Sequence, residues 1–333
     1  MAHHGVIKAS HVPLDTIPKA GDELNTYLKN VVNDAHNLIN LLTSPPRRPW
    51  KFNFKKSSRY GNVEVCSQVV KTEEYKEPKA RNGGNQAQAH AERGNGEQER
   101  GETQEAHDLE TEDQKTVGKK LSRTEYWFSR HSVHDLDSVG AREGGDCALA
   151  WDDFTNYLFN DHAEHELEYA PTVKRVDKII IEGDWDLSTV SIPGWQVTKV
   201  AAYGIHHHFP WPLSERVFPI LLILATAVSR RELMVISMPI KVASDVKGTN
   251  IKTQEIVTVI SPKATVGQYV AVERVMFQPA TTNDAKPNVI WDMATASDAS
   301  GNIPMAVQRM GVGREIFKDV EAFLDYANKK AAT

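Results

Sequence analysis

From Pro171 onward the chain presents one strand-length apolar segment after another, and no long helical pattern separates them. The segments cover 178–185, 195–209, 217–228, 232–240, 254–260, 268–278, 289–296 and 305–310, with turn residues such as Ser188, Pro193-Gly194, Lys247-Gly248 and Ser300-Gly301 between most of them. Parallel neighbours need a long crossover, so strands joined by turns predict an antiparallel sheet. Only the last element is helical. From Gly313 or Arg314 to about Lys329 it carries Ile316, Phe317, Val320, Phe323, Leu324 and Ala327 along one face, and an apolar stripe of that size needs a sheet to lie on.

The N-terminal half adds a helix over 22–42, with Leu24, Leu28, Val31, Ala35, Leu38 and Leu42 at helical spacing and Ser44-Pro45-Pro46 ending it. Strands follow around Trp50, Phe52 and Phe54 and around Val63 to Val69, separated by a Tyr60-Gly61-Asn62 turn. A third strand runs through Tyr126-Trp127-Phe128-Ser129-Arg130-His131-Ser132-Val133-His134. Over 151–169 a helix places Trp151, Phe154, Leu158, His162, His165 and Tyr169 on one stripe that turns from apolar to histidine. The class is therefore α+β.

Charge is unevenly spread. The stretch 72–120 holds 12 acidic and 8 basic residues with few large apolar ones, and the remainder is close to neutral, 31 basic against 32 acidic. Such a stretch buries too little surface to offset an ordering cost of about 1–2 kcal/mol per residue, which predicts a disordered acidic insertion. Nor does this balance supply the clustered cations a nucleic acid requires. The longest apolar run, 217–228, holds 12 residues and includes Pro219, too few for a spanning helix of about 20, so no integral membrane segment is expected. Two cysteines and no secretory pattern at the N-terminus lead us to expect a cytoplasmic setting.

Three segments carry a family likeness. Phe209-Pro210-Trp211-Pro212-Leu213-Ser214-Glu215-Arg216-Val217-Phe218 resembles the way START domains lead into a central strand, and Asp298-Ala299-Ser300-Gly301-Asn302-Ile303-Pro304 resembles the hairpin before their last strand. With the aromatic strand at 126–134, they look closest to an uncharacterised fungal START-like family. The likeness implies a helix-grip fold, in which a curved antiparallel sheet wraps a long C-terminal helix around a hydrophobic cavity for a sterol, phospholipid, polyketide or terpenoid. Residues 1–49 then read as an N-terminal helical segment before a START-like domain at 50–330, interrupted at 72–120.

Candidate site residues follow from face and chemistry. On the strand beginning at Trp195, Tyr203 and His207 share an otherwise apolar face and are expected to point inward. Polar groups able to orient a ligand are Arg130, His131, His134, His162, His165 and Arg216, the last needing a buried partner such as Glu166, Asp184 or Glu273. Trp127, Phe277, Trp291, Met293, Met310, Phe317 and Leu324 are expected on the apolar lining. His206 and His208 share a face without a third ligand, and His162 and His165 stand three apart, so no metal is expected. Gly311-Val312-Gly313 lacks the full dinucleotide pattern, so no cofactor is expected either.

The function these features favour is binding, and possible transfer, of a hydrophobic small molecule, with transient membrane contact at most. The alternative is a cyclase or pericyclase of fungal secondary metabolism in which His207, Tyr203, Arg130 and His162 steer a reactive intermediate. A scaffold built on the acidic insertion is a third class. Deleting 72–120 should leave the melting temperature and any ligand uptake nearly unchanged; a large loss of either would contradict the insertion reading.

Overall fold

The computed structural model describes residues 5–43, 50–58, 60–75, 120–136, 149–179, 184–209, 215–241, 265–282, 285–298, 300 and 305–331. The chain divides into two compact units, Met1–Val70 with Glu125–Thr333, and Lys71–Thr124. In the second unit the described residues are strand ends, 71–75 and 120–124. The expected strand at 254–260 lies outside the described residues, as does 76–119 of the expected insertion.

The elements are β1 (Val12–Pro13), α1 (Gly21–Thr43), β2 (Lys51–Ser58), β3 (Gly61–Tyr75), β4 (Lys120–Asp135), α2 (Trp151–Asp153), α3 (His162–Tyr169), β5 (Val173–Ile179), β6 (Trp195–His207), β7 (Arg216–Ala227), β8 (Glu232–Lys241), β9 (Thr265–Val266), β10 (Gln268–Gln278), β11 (Asn288–Asp298) and α4 (Met305–Ala331). The strands form one sheet in the order β2-β3-β4-β11-β10-β8-β7-β6-β5. Pairing is antiparallel from β4 through β5 and between β2 and β3. Two short parallel strands, β1 on β8 and β9 on β7, take up ladder positions their long partners leave open.

Both faces of this sheet are covered, and the pleat sorts the residues between them. On one face Leu24, Leu28, Val31, Ala35 and Leu38 of α1 pack with Leu221, Ile223, Met234, Ile236, Val270 and Val272. On the other, Ile316, Phe317, Val320, Phe323, Leu324 and Ala327 of α4 pack with Leu222, Leu224, Val235, Val275, Trp291 and Met293. Strand β7, between two other long strands, is buried along both faces from Arg216 to Ala225, which is why it reads as a continuous apolar run rather than an alternating one.

Three expected elements differ from the structure. Residues 305–310 are the first turns of α4, not a strand. Gly311 and Gly313 look like a break, but each costs a helix only about 1 kcal/mol. Gly313 faces Val65 and Phe128, whose side-chain carbons lie 3.5 and 3.7 Å from where a Cβ would stand, an ordinary contact distance that an alanine would also fill. The strand expected at 178–185 runs instead over Val173–Ile179, because the turn at Pro171-Thr172 delivers the chain directly to the edge of β6, Val173 opposite His207; Trp185 sits in a loop. The helix expected over 151–169 is broken into α2, a π-helical stretch at Phe154–Phe159, and α3. Asp161 makes the break with φ 47°, a left-handed conformation that aspartate tolerates better than most residues.

Phe323→Ala, which empties the contact between α4 and the sheet, should cost about 3–5 kcal/mol in denaturant unfolding. Val228→Ala, 72% exposed, should cost almost nothing; equal effects would mean that α4 does not close the core.

Candidate functional site

Side chains that face α4 from neighbouring strands form rows across the sheet, and one row carries an ion pair. Arg130 of β4 lies opposite Met293 of β11, which lies opposite Glu273 of β10. The guanidinium reaches over the methionine: Arg130 Nη2 donates to Glu273 Oε2 at 2.9 Å. Its Nη1 donates to the Ile316 carbonyl of α4 at 3.2 Å, and its carbon lies 3.9 Å from the Trp291 ring centroid. Trp291 Nε1 donates to the same Glu273 oxygen at 3.0 Å. Both charges are buried, Arg130 to 1% and Glu273 to 6% exposure, a placement that only a well-hydrogen-bonded pair tolerates. The Arg130 Nε, however, has no hydrogen-bond partner.

Further ionisable groups converge on this pair from three elements. Helix α3 supplies Glu166 and Tyr169, α4 supplies Asp319, and β10 supplies Tyr269, two positions before Ala271 on the face of Glu273. Their charges act on one another. Burial pushes the Asp319 carboxyl from 3.8 up to about 7; nearby Arg130 partly offsets this, while Glu273, Glu166 and Glu315 add to it. Burial likewise raises Glu166, against the pull of His162 and with the push of Glu273. Tyr169 and Tyr269 are held well above the ordinary phenol range by burial and by Glu166, Glu273 and Asp319.

Among the described residues, the side chains of Asp319, Tyr169 and Tyr269 make no hydrogen bond, and the Glu166 carboxylate has only a 3.7 Å approach to His162 Nε2. All four are surrounded by protein, yet each keeps intermediate accessibility, 21% for the Glu166 side chain.

The residues singled out from the sequence distribute around this centre. Arg130, Trp291 and Met293 belong to it, and Phe317 and Leu324 lie in the same core cluster. His162 is buried, its Nδ1 donating to the Leu158 carbonyl at 2.6 Å. His134 is on the same face, with Nδ1 donating to the Tyr60 carbonyl at 2.9 Å and Nε2 facing Ser132 Oγ at 2.9 Å; burial lowers it to about 4. Tyr203 and His207 also face this side. Tyr203 donates to Glu164 at 2.9 Å, and burial raises its phenol. His207 stacks on Phe209 at 5.7 Å, lies 3.0 Å from Thr172 Oγ1 and is lowered by burial to about 4.

Other candidates lie away from the ion pair. His165 contacts the Tyr326 hydroxyl at 2.9 Å, and Phe277 packs edge-on to Trp151. Arg216 is buried at the start of β7 and donates to the Glu215 carbonyl at 3.4 Å, whereas Glu273, one of its expected partners, is held by Arg130. Trp127 packs on the α1 face, its indole N–H donating to Glu125 at 3.0 Å. His131, one pleat away from Arg130, pairs instead with Asp292 at 2.6 Å. Met310 lies in α4 rather than on a strand.

Among the described residues no group of three His, Cys, Asp or Glu side chains is placed to hold a metal ion, and no helix is long and apolar enough to cross a membrane. On the outside, a groove of about 460 Å³ runs between β2 and α4, lined in part by Phe54, Lys56, Arg314, Phe317 and Lys318.

Sequence reasoning missed Asp319, Tyr169 and Tyr269 as site residues and met Glu166 and Glu273 only as partners for Arg216. A signal was present. Asp319 stands three residues after Ile316 and four before Phe323, inside the apolar stripe of the terminal helix, and Glu273 sits between Ala271 and Val275 on a core-facing strand position. A carboxylate on a buried stripe is the exception that marks a site.

Because the Asp319 pKa is higher folded than unfolded, the folded state binds more protons between pH 3.8 and about 7, and stability falls as pH rises through that window. Asp319→Asn should therefore raise the melting temperature at pH 8 and change it little at pH 4; the reverse order would contradict the burial of this carboxyl. Glu273→Ala should cost about 3–5 kcal/mol by stranding the Arg130 charge.

Comparison with known proteins places the fold. The crystal structure of human STARD10 overlays with a TM-score of 0.47 at 9% identity, covering 95% of this chain and 83% of that one. Human StAR-related lipid transfer protein 5 overlays with a TM-score of 0.50 at 8% identity, covering 94% of this chain and all of that one. At such identity the second likeness shows a START-like fold and nothing finer. No curated protein sequence matches the chain. The profile of a family described as "Protein of unknown function (DUF3074)" matches residues 127–327, from the aromatic strand β4 to the last turns of α4, and the chain belongs to that family.

Proposed function

We propose that the space between the α4-facing side of the sheet and helices α3 and α4 is an internal cavity that binds one hydrophobic small molecule: a lipid, sterol, terpenoid or polyketide. One observation carries this reading. Glu166, Tyr169, Tyr269 and Asp319 lie on the α4-facing side, desolvated enough that burial raises all four, and are still only half-buried, which supports space beside them for a ligand. Apolar walls then come from residues such as Leu222, Val235, Met293, Phe317 and Leu324. At about 25 cal/mol per Å², burying a few hundred Å² of ligand yields several kcal/mol before ordering costs. Human StAR-related lipid transfer protein 5, by its name a lipid carrier, shares the fold, which supports a carrier role here.

Ligand exchange needs a mouth and, for transfer, a donor surface. The outermost strand, β2, exposes Phe52 to 61% together with Lys51, Lys55 and Lys56, a basic and aromatic edge suited to transient contact with an anionic membrane surface. The cell compartment this implies is the cytoplasm.

Native mass spectrometry of the chain purified from cells, followed by organic extraction, should reveal about one apolar molecule per chain or uptake of an added sterol, phospholipid or polyketide. Protein that emerges empty and takes up none of them would sink the reading.

A second reading, catalysis on an apolar intermediate in the same space, draws on one feature: a carboxyl held at about 7 can exchange a proton near neutral pH. Tyr203, His207, Arg130 and His162 are its other candidate groups. A captured ligand recovered chemically unchanged after long incubation would argue for carriage over catalysis.

A further inference from the structure

We propose that the free edge of β2, with the groove between β2 and α4 beside it, is a docking site for an extended acidic segment of a partner protein, which adds to the sheet as a further strand. This concerns the outer surface of the fold and stands apart from the cavity reading.

Strand β2 is last in the strand order and, among the described residues, is hydrogen-bonded to β3 alone. Its residues from Lys51 to Ser57 are all exposed. A strand with one neighbour presents a row of unpaired N–H and C=O groups along its outer side, and an extended chain satisfies that row by strand addition. The pairing with β3 slips once, at Asn53, and is regular from Phe54 to Ser58. That regular part offers a template of about 17 Å at about 3.3 Å per residue.

The side chains around this edge select for both apolar and acidic character. Phe52, Phe54 and Val69, exposed to 61, 36 and 60%, gather on β2 and β3, and exposed apolar side chains grouped in this way mark an interaction surface. In the groove of about 460 Å³, Phe54 and Phe128 are joined by Lys56, Arg314 and Lys318, against one acid, Glu321. Lys318 is paired with Glu315 at 2.8 Å, and Lys55 of β2 with Glu64 at 3.2 Å. Lys51, Lys56 and Arg314 have no carboxylate partner among the described residues; Lys56 rests over the Phe317 ring at 4.4 Å. Cations left in this state favour a segment that brings carboxylates.

Other occupants fit less well. Pairing β2 with a second copy of the chain brings Lys51, Lys55 and Lys56 of both copies together, a like-charge arrangement that natural edges use against self-association. A bilayer surface can meet Phe52 and the lysines, but it is flat and carries no ladder of donors and acceptors, so it neither fills the groove nor completes the edge.

The test titrates three fluorescein-labelled peptides of about seven residues into the purified full chain, read by anisotropy. One alternates glutamate with valine and one alternates lysine with valine. The third is the glutamate peptide N-methylated at consecutive central residues, which keeps every side chain and removes strand donors on both sides. The glutamate peptide should bind about tenfold more tightly than the lysine peptide and lose about tenfold on N-methylation. Lys56→Glu combined with Arg314→Glu, both at exposed positions, should reverse the charge preference while the melting temperature holds. Lys178→Glu on β5, at the opposite edge of the sheet, should leave the preference as it was. Equal binding of the N-methylated peptide, a preference that survives the paired substitution, or no binding by any of the three overturns strand addition at β2. Phosphatidylcholine vesicles containing phosphatidylserine, bound through Lys56 and Arg314 while all three peptides fail, would assign the edge to a membrane alone and overturn it too. A dimer in sedimentation that the paired substitution dissolves would likewise overturn it, in favour of a second copy.

Discussion

The contact on which the rest turns is the bridge from Arg130 to Glu273 and to the Ile316 carbonyl. It joins β4 to β10 across β11 and ties both to the backbone of α4, so one guanidinium fixes where the terminal helix lies on the sheet. Trp291 completes the arrangement, shielding the guanidinium with its ring and donating to the same carboxylate. Hydrophobic burial of Phe323, Leu324 and Val320 supplies the bulk of the adhesion, but it is non-directional. The bridge gives it a register.

The same strands carry a second buried polar cluster on the opposite face. Arg274, next to Glu273 in sequence and therefore across the pleat, donates to Asn40 of α1 at 2.7 Å and to Asp292 at 2.7 Å. Asp292 also holds His131, and Glu232 pairs with Arg230. There each charge has an opposite charge beside it, although Glu232 Oε1 is left without a hydrogen bond, and the cluster anchors α1. On the α4 side Arg130 and Glu273 play the same part for α4.

Much of the fold was legible because both periodicities are strong. The strand β10 was located at its observed ends, 268–278, since Val270, Val272 and Arg274 alternate with Ala271, Glu273 and Val275, and α1 was found within a residue at each end. The terminal helix was recognised but started late, because two glycines at 311 and 313 mimic a boundary that tertiary packing overrides. The break at Asp161 was invisible, since nothing local announces a left-handed aspartate. The site was less legible than the fold. Histidine and aromatic residues drew attention by type, while Asp319 and Glu166 matter by position, and Trp127 and His131 were assigned to a lining that the pleat turns away from.

The central claim is that an enclosed, partly polar space lies between α3, α4 and the sheet. A crystal structure at a resolution that shows ordered solvent tests it most directly. The account expects density for water or a bound molecule within hydrogen-bond reach of the Asp319 carboxyl and the Tyr269 hydroxyl. Side chains filling that space solidly, with both groups bonded to protein atoms, would contradict it.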